Sequence, residues 1–177
     1  FTASFLVQHS SCENVFYKKH SSTDLQYLFQ GFSSLQKVNV FPTGHCTSID
    51  NMFSYCKSLK EVPAFDFSNV TNAGSAFIGC SVLSEVKSSD FKKVTNAQAM
   101  FRDSYIRNVS NLQFRDANNF YLFNYAAGCL THLPDLSLCN NITGDVSYSF
   151  YVAQLNTYPY INVANVPSVN NLFHSLP

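Results

Sequence analysis

The chain has 177 residues, enough for one domain with a sizeable core, and with 46% apolar and 15% aromatic residues it is not a disordered chain. Eleven basic residues balance eleven acidic ones, so no nucleic-acid partner is expected and no polybasic membrane patch. Charged residues make up 12%, about half the usual share, and Asn, Ser and Thr carry the polarity instead, which points to an extracellular surface.

Residues 1–22 come first and fit the pattern that follows poorly. Phe5 falls 24 residues before Phe29, yet Thr2 and Gln8 beside it are polar. This stretch is expected to be a degenerate N-terminal coil or cap, which a stack of repeats needs over its first open edge. The start at Phe1, without Met, is expected to mark a processed or excised piece. No apolar run approaches the roughly 20 residues of a membrane span, so no membrane insertion is expected.

From residue 23 to 177 the sequence is periodic. Phenylalanine stands at 29, 53, 77 and 101, in three steps of 24, and again at 150 and 173, a step of 23. The intervening slot at 124 holds Asn. Around each Phe the same apolar frame recurs: Leu25, Leu28, Phe29 and Phe32, then Ile49, Met52, Phe53 and Cys56, then Ala73, Ala76, Phe77 and Cys80. Val169, Leu172, Phe173 and Leu176 complete the last copy. The spacing is that of a short amphipathic helix. Thr23, Thr47, Thr71 and Thr95 stand where a hydroxyl would cap its first N–H groups, and Pro167 takes that place in the last copy. An L-x-x-V segment follows at Leu35/Val38, Leu59/Val62 and Leu83/Val86, and in weaker form at Ile106/Val109, Leu130/Leu133 and Leu155/Tyr158. It predicts one short strand per copy, stacked in parallel on its neighbours. The expected fold is therefore an α/β solenoid of about six and a half coils, each a short helix plus a short strand.

The stretches DFSNVTNAGSAFIGCSVLSEV and TSIDNMFSYCKSLKEVPAFDFSNVTN resemble the BspA-type leucine-rich repeats, also called DUF285-like surface-protein repeats. The likeness covers residues 23–177 and is strongest in the second and third copies. Departures are Ala73 and Ala76 in place of Met, Ser104 and Ala127 in place of Cys, and the missing Phe of the fifth copy. The resemblance implies a right-handed leucine-rich-repeat superhelix in a secreted, cell-surface or phage-tail protein that adheres to something. It implies no catalytic residues.

Of the six cysteines, Cys56 and Cys80 share one slot and read as buried packing thiols, as does Cys46 in the slot of Val70. Cys129 and Cys139 bracket a stretch that a disulfide would close. His9 with Cys12, and His45 with Cys46, lack the second pair of ligands that a tetrahedral metal site requires. No metal, cofactor or catalytic motif is expected. Sequons begin at Asn69, Asn108 and Asn141, about as many as this composition produces by chance.

Two surface columns remain. Polar pairs inside the L-x-x-V segments would form one open sheet face, presenting Lys37, Glu61, Glu85, Arg107 and His132. The residue after each Phe slot runs Gln30, Ser54, Ile78, Arg102, Tyr125, Tyr151, His174, and Tyr121 and Tyr148 lie nearby. Either the fifth helix has rotated to bury Tyr121 or Tyr125, or these tyrosines form an exposed patch for a sugar or a protein. The expected function is non-catalytic binding of a protein or glycan on a cell surface, through the strand face and the tyrosine patch. The alternative is a structural block that stacks end to end, as a homo-oligomer or within a larger parent protein, through the uncapped apolar stripe of the last coil.

Overall fold

The computed structural model describes residues 14–15, 22–88, 90–118, 130–144, 146–150 and 160–172. In residues 22–118 the chain returns after about 24 residues to lie beside itself in parallel, and each such pass forms one rung. Parallel bridges join Asp24 to Ser48, Ser48 to Asn72 and Asn72 to Asn96. The strands are two residues long: β1 (Asn14–Val15), β2 (Lys37–Val38), β3 (Glu61–Val62), β4 (Glu85–Val86), β5 (Asp90–Phe91) and β6 (Gln113–Phe114). They pair β1 with β2, β3 with β4 and β5 with β6, all in parallel. β2, β3 and β4 are the ends of the L-x-x-V segments. Their Leu and Val side chains are buried, and Gln36, Lys37, Lys60, Ser84 and Glu85 between them are exposed.

The expected coil of a helix plus a strand is overturned, because the described residues contain no helix. The segments predicted to be helical spend their N–H groups differently. Leu25 donates to the carbonyl of Ser48 at 2.9 Å, Tyr27 to Asp50 at 3.0 Å, Phe29 to Met52 at 2.8 Å and Gly31 to Ser54 at 2.8 Å. Alternate N–H groups thus leave the rung altogether, whereas an α-helix sends each one four residues back. Those in between close tight turns, Leu28 to Leu25, Gln30 to Tyr27 and Phe32 to Phe29. Left-handed backbone recurs at two slots per rung: Tyr27, Asn51, Ser75 and Ala99 at one, Gly31, Tyr55, Gly79 and Asp103 at the other, with φ between 51° and 76°. A right-handed helix does not survive such residues. Linked three-residue turns bury positions 25, 28, 29 and 32, the same stripe that a helix would bury. Apolar spacing alone does not separate the two.

The threonines are corrected with the helix. Thr47, Thr71 and Thr95 each donate their N–H to the carbonyl of the Thr one rung earlier, at 2.7, 2.8 and 2.9 Å. Each hydroxyl donates to that same carbonyl at 3.2 Å. Threonine is therefore a cross-rung ladder residue and not a cap. Capping falls to its successor: the side chains of Asp24, Asn72 and Asn96 accept the N–H of Gln26, Gly74 and Gln98 at 2.8, 3.2 and 3.1 Å.

The core runs down the middle of the rungs as two files of rings. Phe29, Phe53, Phe77 and Phe101 stack with centroids 5.2, 5.8 and 5.3 Å apart and planes within 20°. A second file, not read from the sequence, takes Phe41 onto Phe65 at 4.8 Å, Phe67 onto Phe91 and Phe91 onto Phe114 at 5.6 Å. Gly79 is needed on two counts: its φ is +68°, and an added Cβ would lie 2.5 Å from Tyr55 Cδ1. In the last described segment Leu172 is buried while Val169 is 47% exposed; Phe173 and Leu176 lie outside the described residues.

Phe53→Ala or Phe77→Ala removes a ring stacked on both sides and is expected to cost about 3–5 kcal/mol, whereas Lys60→Ala stays within about 0.5 kcal/mol. A denaturant titration of the three variants checks this, and equal losses would contradict the rung geometry. Far-ultraviolet circular dichroism is expected to show less helix than one helix per rung over residues 22–118 would give.

Candidate functional site

Polar pairs of the L-x-x-V segments are carried outward because their flanking Leu and Val point into the core. Parallel register then aligns them. Glu61 lies opposite Glu85 across β3 and β4, Asn108 opposite His132 in a parallel bridge, and the N–H of Thr131 donates to Arg107 at 2.9 Å. Of the residues singled out from sequence, Lys37, Glu61 and Glu85 are thus brought together on β2–β4, and Arg107 is paired with His132 on the L-x-x-V segments that follow. Gln36, Lys37, Lys60, Glu61 and Ser84 line a shallow depression of about 330 Å³ in it.

The stacked glutamates are reconciled by a residue that sequence reasoning passed over. Lys87 Nζ reaches Glu61 Oε2 at 2.9 Å, and this hydrogen bond, with the Glu61 and Glu85 charges, holds its ammonium above the usual range. Its signal was Lys two places after Glu85, where the chain is still extended. The pair is about 40% exposed and adds little stability. His132 Nδ1 lies 2.8 Å from the Thr131 hydroxyl.

The second column is corrected in part. Ser54 is wholly buried, and Arg102, half-buried, lies 3.4 Å from Asp103, so the residue after the Phe slot is not an open row. Tyr148 is half-buried with φ 60°, while Tyr121, Tyr125 and Tyr151 lie outside the described residues. Exposed aromatics occur earlier, at Tyr27, Tyr55 and Tyr105. Of the sequons, Asn69 is tied into the fold: its amide donates to the Gly44 carbonyl at 2.7 Å and accepts from Lys93 at 2.6 Å. No group of three or more His, Cys, Asp or Glu side chains converges among the described residues.

A family model described as "Mycoplasma protein of unknown function, DUF285" matches residues 14–132. No curated protein and no solved structure matches.

Cys46, Cys56, Cys80 and Cys139 are unbridged and buried; Cys12 and Cys129 lie outside the described residues. Cys56 and Cys80 donate to the carbonyls of Phe29 and Phe53 at 3.0 and 3.1 Å. Burial pushes the Cys46 thiol up to about 11 and those of Cys80 and Cys139 to about 12, and it raises Cys56 in the same direction. A buried thiol that resists ionisation is a poor nucleophile. The folded chain holds these protons while the unfolded chain loses them above about pH 9, so stability is full below that pH and falls as pH rises towards 12. Native protein is expected to leave these four thiols unmodified by iodoacetamide, with full reaction in denaturant and no change of melting temperature on adding reductant. A melting temperature more than about 10 °C lower in reductant would instead mean a stabilising disulfide.

Proposed function

This chain belongs to the DUF285 family, and on that footing we propose that it is a non-catalytic binding module of the BspA-type leucine-rich-repeat kind. It serves a secreted, cell-surface or phage-tail protein and recognises a ligand at a cell surface. The observation that carries this reading is the strand face: outward polar side chains in register on a rigid, ring-stacked core, around an open depression. Rigid scaffolds of this kind bind without a large ordering cost. The face is polar and varied, which suits hydrogen-bonded recognition of a glycan or a hydrophilic protein surface. Tyr148, half-buried, is read as adding to the contact.

A second reading, end-to-end assembly, draws on the exposed apolar side chains Tyr160, Val163 and Val169 in the last described segment. Sedimentation at increasing concentration separates the two, since assembly through that segment would be concentration-dependent and weakened by Val169→Lys.

A glycan and surface-protein screen is the direct test of the binding reading. Ser84→Tyr, which fills the depression from an exposed position, is expected to lower affinity for any ligand found by about tenfold or more. Gln26→Tyr on the turn side should leave it unchanged. Equal effects of both substitutions would remove the strand face from the proposal.

A further inference from the structure

Formal charge is balanced over the whole chain, but the free charges are not evenly spread over its surface. Several described cations are partnered: Lys87 by Glu61, Lys92 by Asp90, Arg102 by Asp103 and Arg115 by Asp116, while Lys93 donates to the Asn69 amide. The described cations left without a carboxylate within 4 Å are Lys37, Lys57, Lys60, Lys93 and Arg107, all exposed, and of these Lys93 is held by the Asn69 amide. Lys37 and Lys60 line the depression on β2–β4, Arg107 stands outward on a later L-x-x-V segment, and Lys57 lies two residues before Leu59. Glu85 is the one described carboxylate of this face outside an ion pair.

The other unpaired carboxylates sit elsewhere and are occupied by the backbone or its neighbours. Asp24, Asp66 and Asp135 accept the N–H of the residue two places on, at 2.8, 3.0 and 2.9 Å. Asp50 accepts from the Asn51 amide at 3.1 Å. These four carboxylates thus serve the turns, while Lys37, Lys60 and Arg107 are left without a carboxylate partner on the L-x-x-V segments.

We propose that the strand face docks an anionic polysaccharide, whose sulfate or carboxylate groups are held by Lys37, Lys60 and Arg107. This rests on the reading of the face as a binding surface and names its ligand chemistry. Charge complementarity selects an anion. A chain of sugars is preferred to an acidic protein because the L-x-x-V pairs expose no large apolar side chain to form the dry centre of a protein interface. They offer Gln36, Ser84, Asn108, Thr131 and His132 instead, groups that hydrogen-bond to hydroxyls. Lys60 and Arg107 occupy the same place in the L-x-x-V frame two rungs apart, about 10 Å at strand spacing, close to the length of two sugar rings.

The test uses the full chain with dextran sulfate, uncharged dextran and poly-glutamate as probes. Dextran sulfate is expected to bind and dextran not, with affinity falling about tenfold between about 50 and about 150 mM salt, as for roughly three neutralised charges. Lys37→Gln/Lys60→Gln should weaken binding about tenfold and flatten the salt dependence, and Arg107→Gln, on a separate rung, should do so independently. Lys92→Gln/Arg115→Gln removes two cations that are ion-paired with Asp90 and Asp116 outside the L-x-x-V segments, and should change neither. Equal loss in that control, equal binding of dextran, tighter binding of poly-glutamate, or no binding to dextran sulfate would each overturn the inference. A ligand from the broader screen that is lost in Ser84→Tyr but indifferent to salt and to Lys60→Gln would sink the polysaccharide alone and leave the binding face standing.

Discussion

Everything in this molecule follows from where alternate backbone N–H groups go. In residues 24–31 they cross to carbonyls one rung later, and at the threonines they cross to the rung before. A buried N–H without a partner costs a few kcal/mol, so each rung must present its carbonyls at the right height and phase for its neighbour. That demand holds the spacing near 24 residues. It also forces the left-handed residues, because the backbone must reverse between one cross-rung bond and the next.

With the rungs in register, each core slot lies over its own counterpart. Like meets like, and the Phe29–Phe53–Phe77–Phe101 file is the result: rings nearly parallel at 5.2–5.8 Å. The cysteine slot obeys the same geometry. Each thiol of Cys56 and Cys80 donates to a carbonyl one rung earlier, which uses its hydrogen and leaves it inert. Ser104 holds that slot in the next rung and satisfies its hydroxyl within its own rung instead, on the Phe101 carbonyl at 2.7 Å. A small polar donor suffices there, which is why Cys and Ser exchange.

Function is left to the outward positions, where register has a different consequence. Stacking places like charges side by side unless something intervenes, as Glu61 and Glu85 show, and Lys87 is the counterweight. Asp and Asn are drawn to the turns because their side chains imitate a backbone acceptor. Lys and Arg have no such role, and on the L-x-x-V segments Lys37, Lys60 and Arg107 remain without a carboxylate partner. The basic character proposed for that face comes from cations that neither the turns nor the carboxylates engage.

How much of this was legible in the residues depends on which contacts are local. The 24-residue offsets, the L-x-x-V segments with their polar pairs outward, and the Phe and Cys slots as core can be read from spacing, because they record which residues must turn away from water. What spacing could not decide was backbone conformation. Three-residue turns and a 3.6-residue helix bury the same stripe, and only the cross-rung hydrogen bonds, made to residues 23 or 24 positions away, choose between them. For the same reason spacing alone makes Thr47 resemble a cap, whereas its hydroxyl bonds to the Thr23 carbonyl one rung away. The second phenylalanine file has irregular spacing, from Phe41 and Phe65 to Phe67 and Phe91, and becomes continuous only when Phe65 meets Phe67 at 5.6 Å in space. Lys87 and Glu61, 26 residues apart, likewise become partners only through strand register. The sequence by itself determined what is buried and how often the pattern returns, because burial is a property of each residue. The tertiary structure alone decided how the backbone satisfies itself and which charges remain unpaired, because those depend on neighbours one rung away.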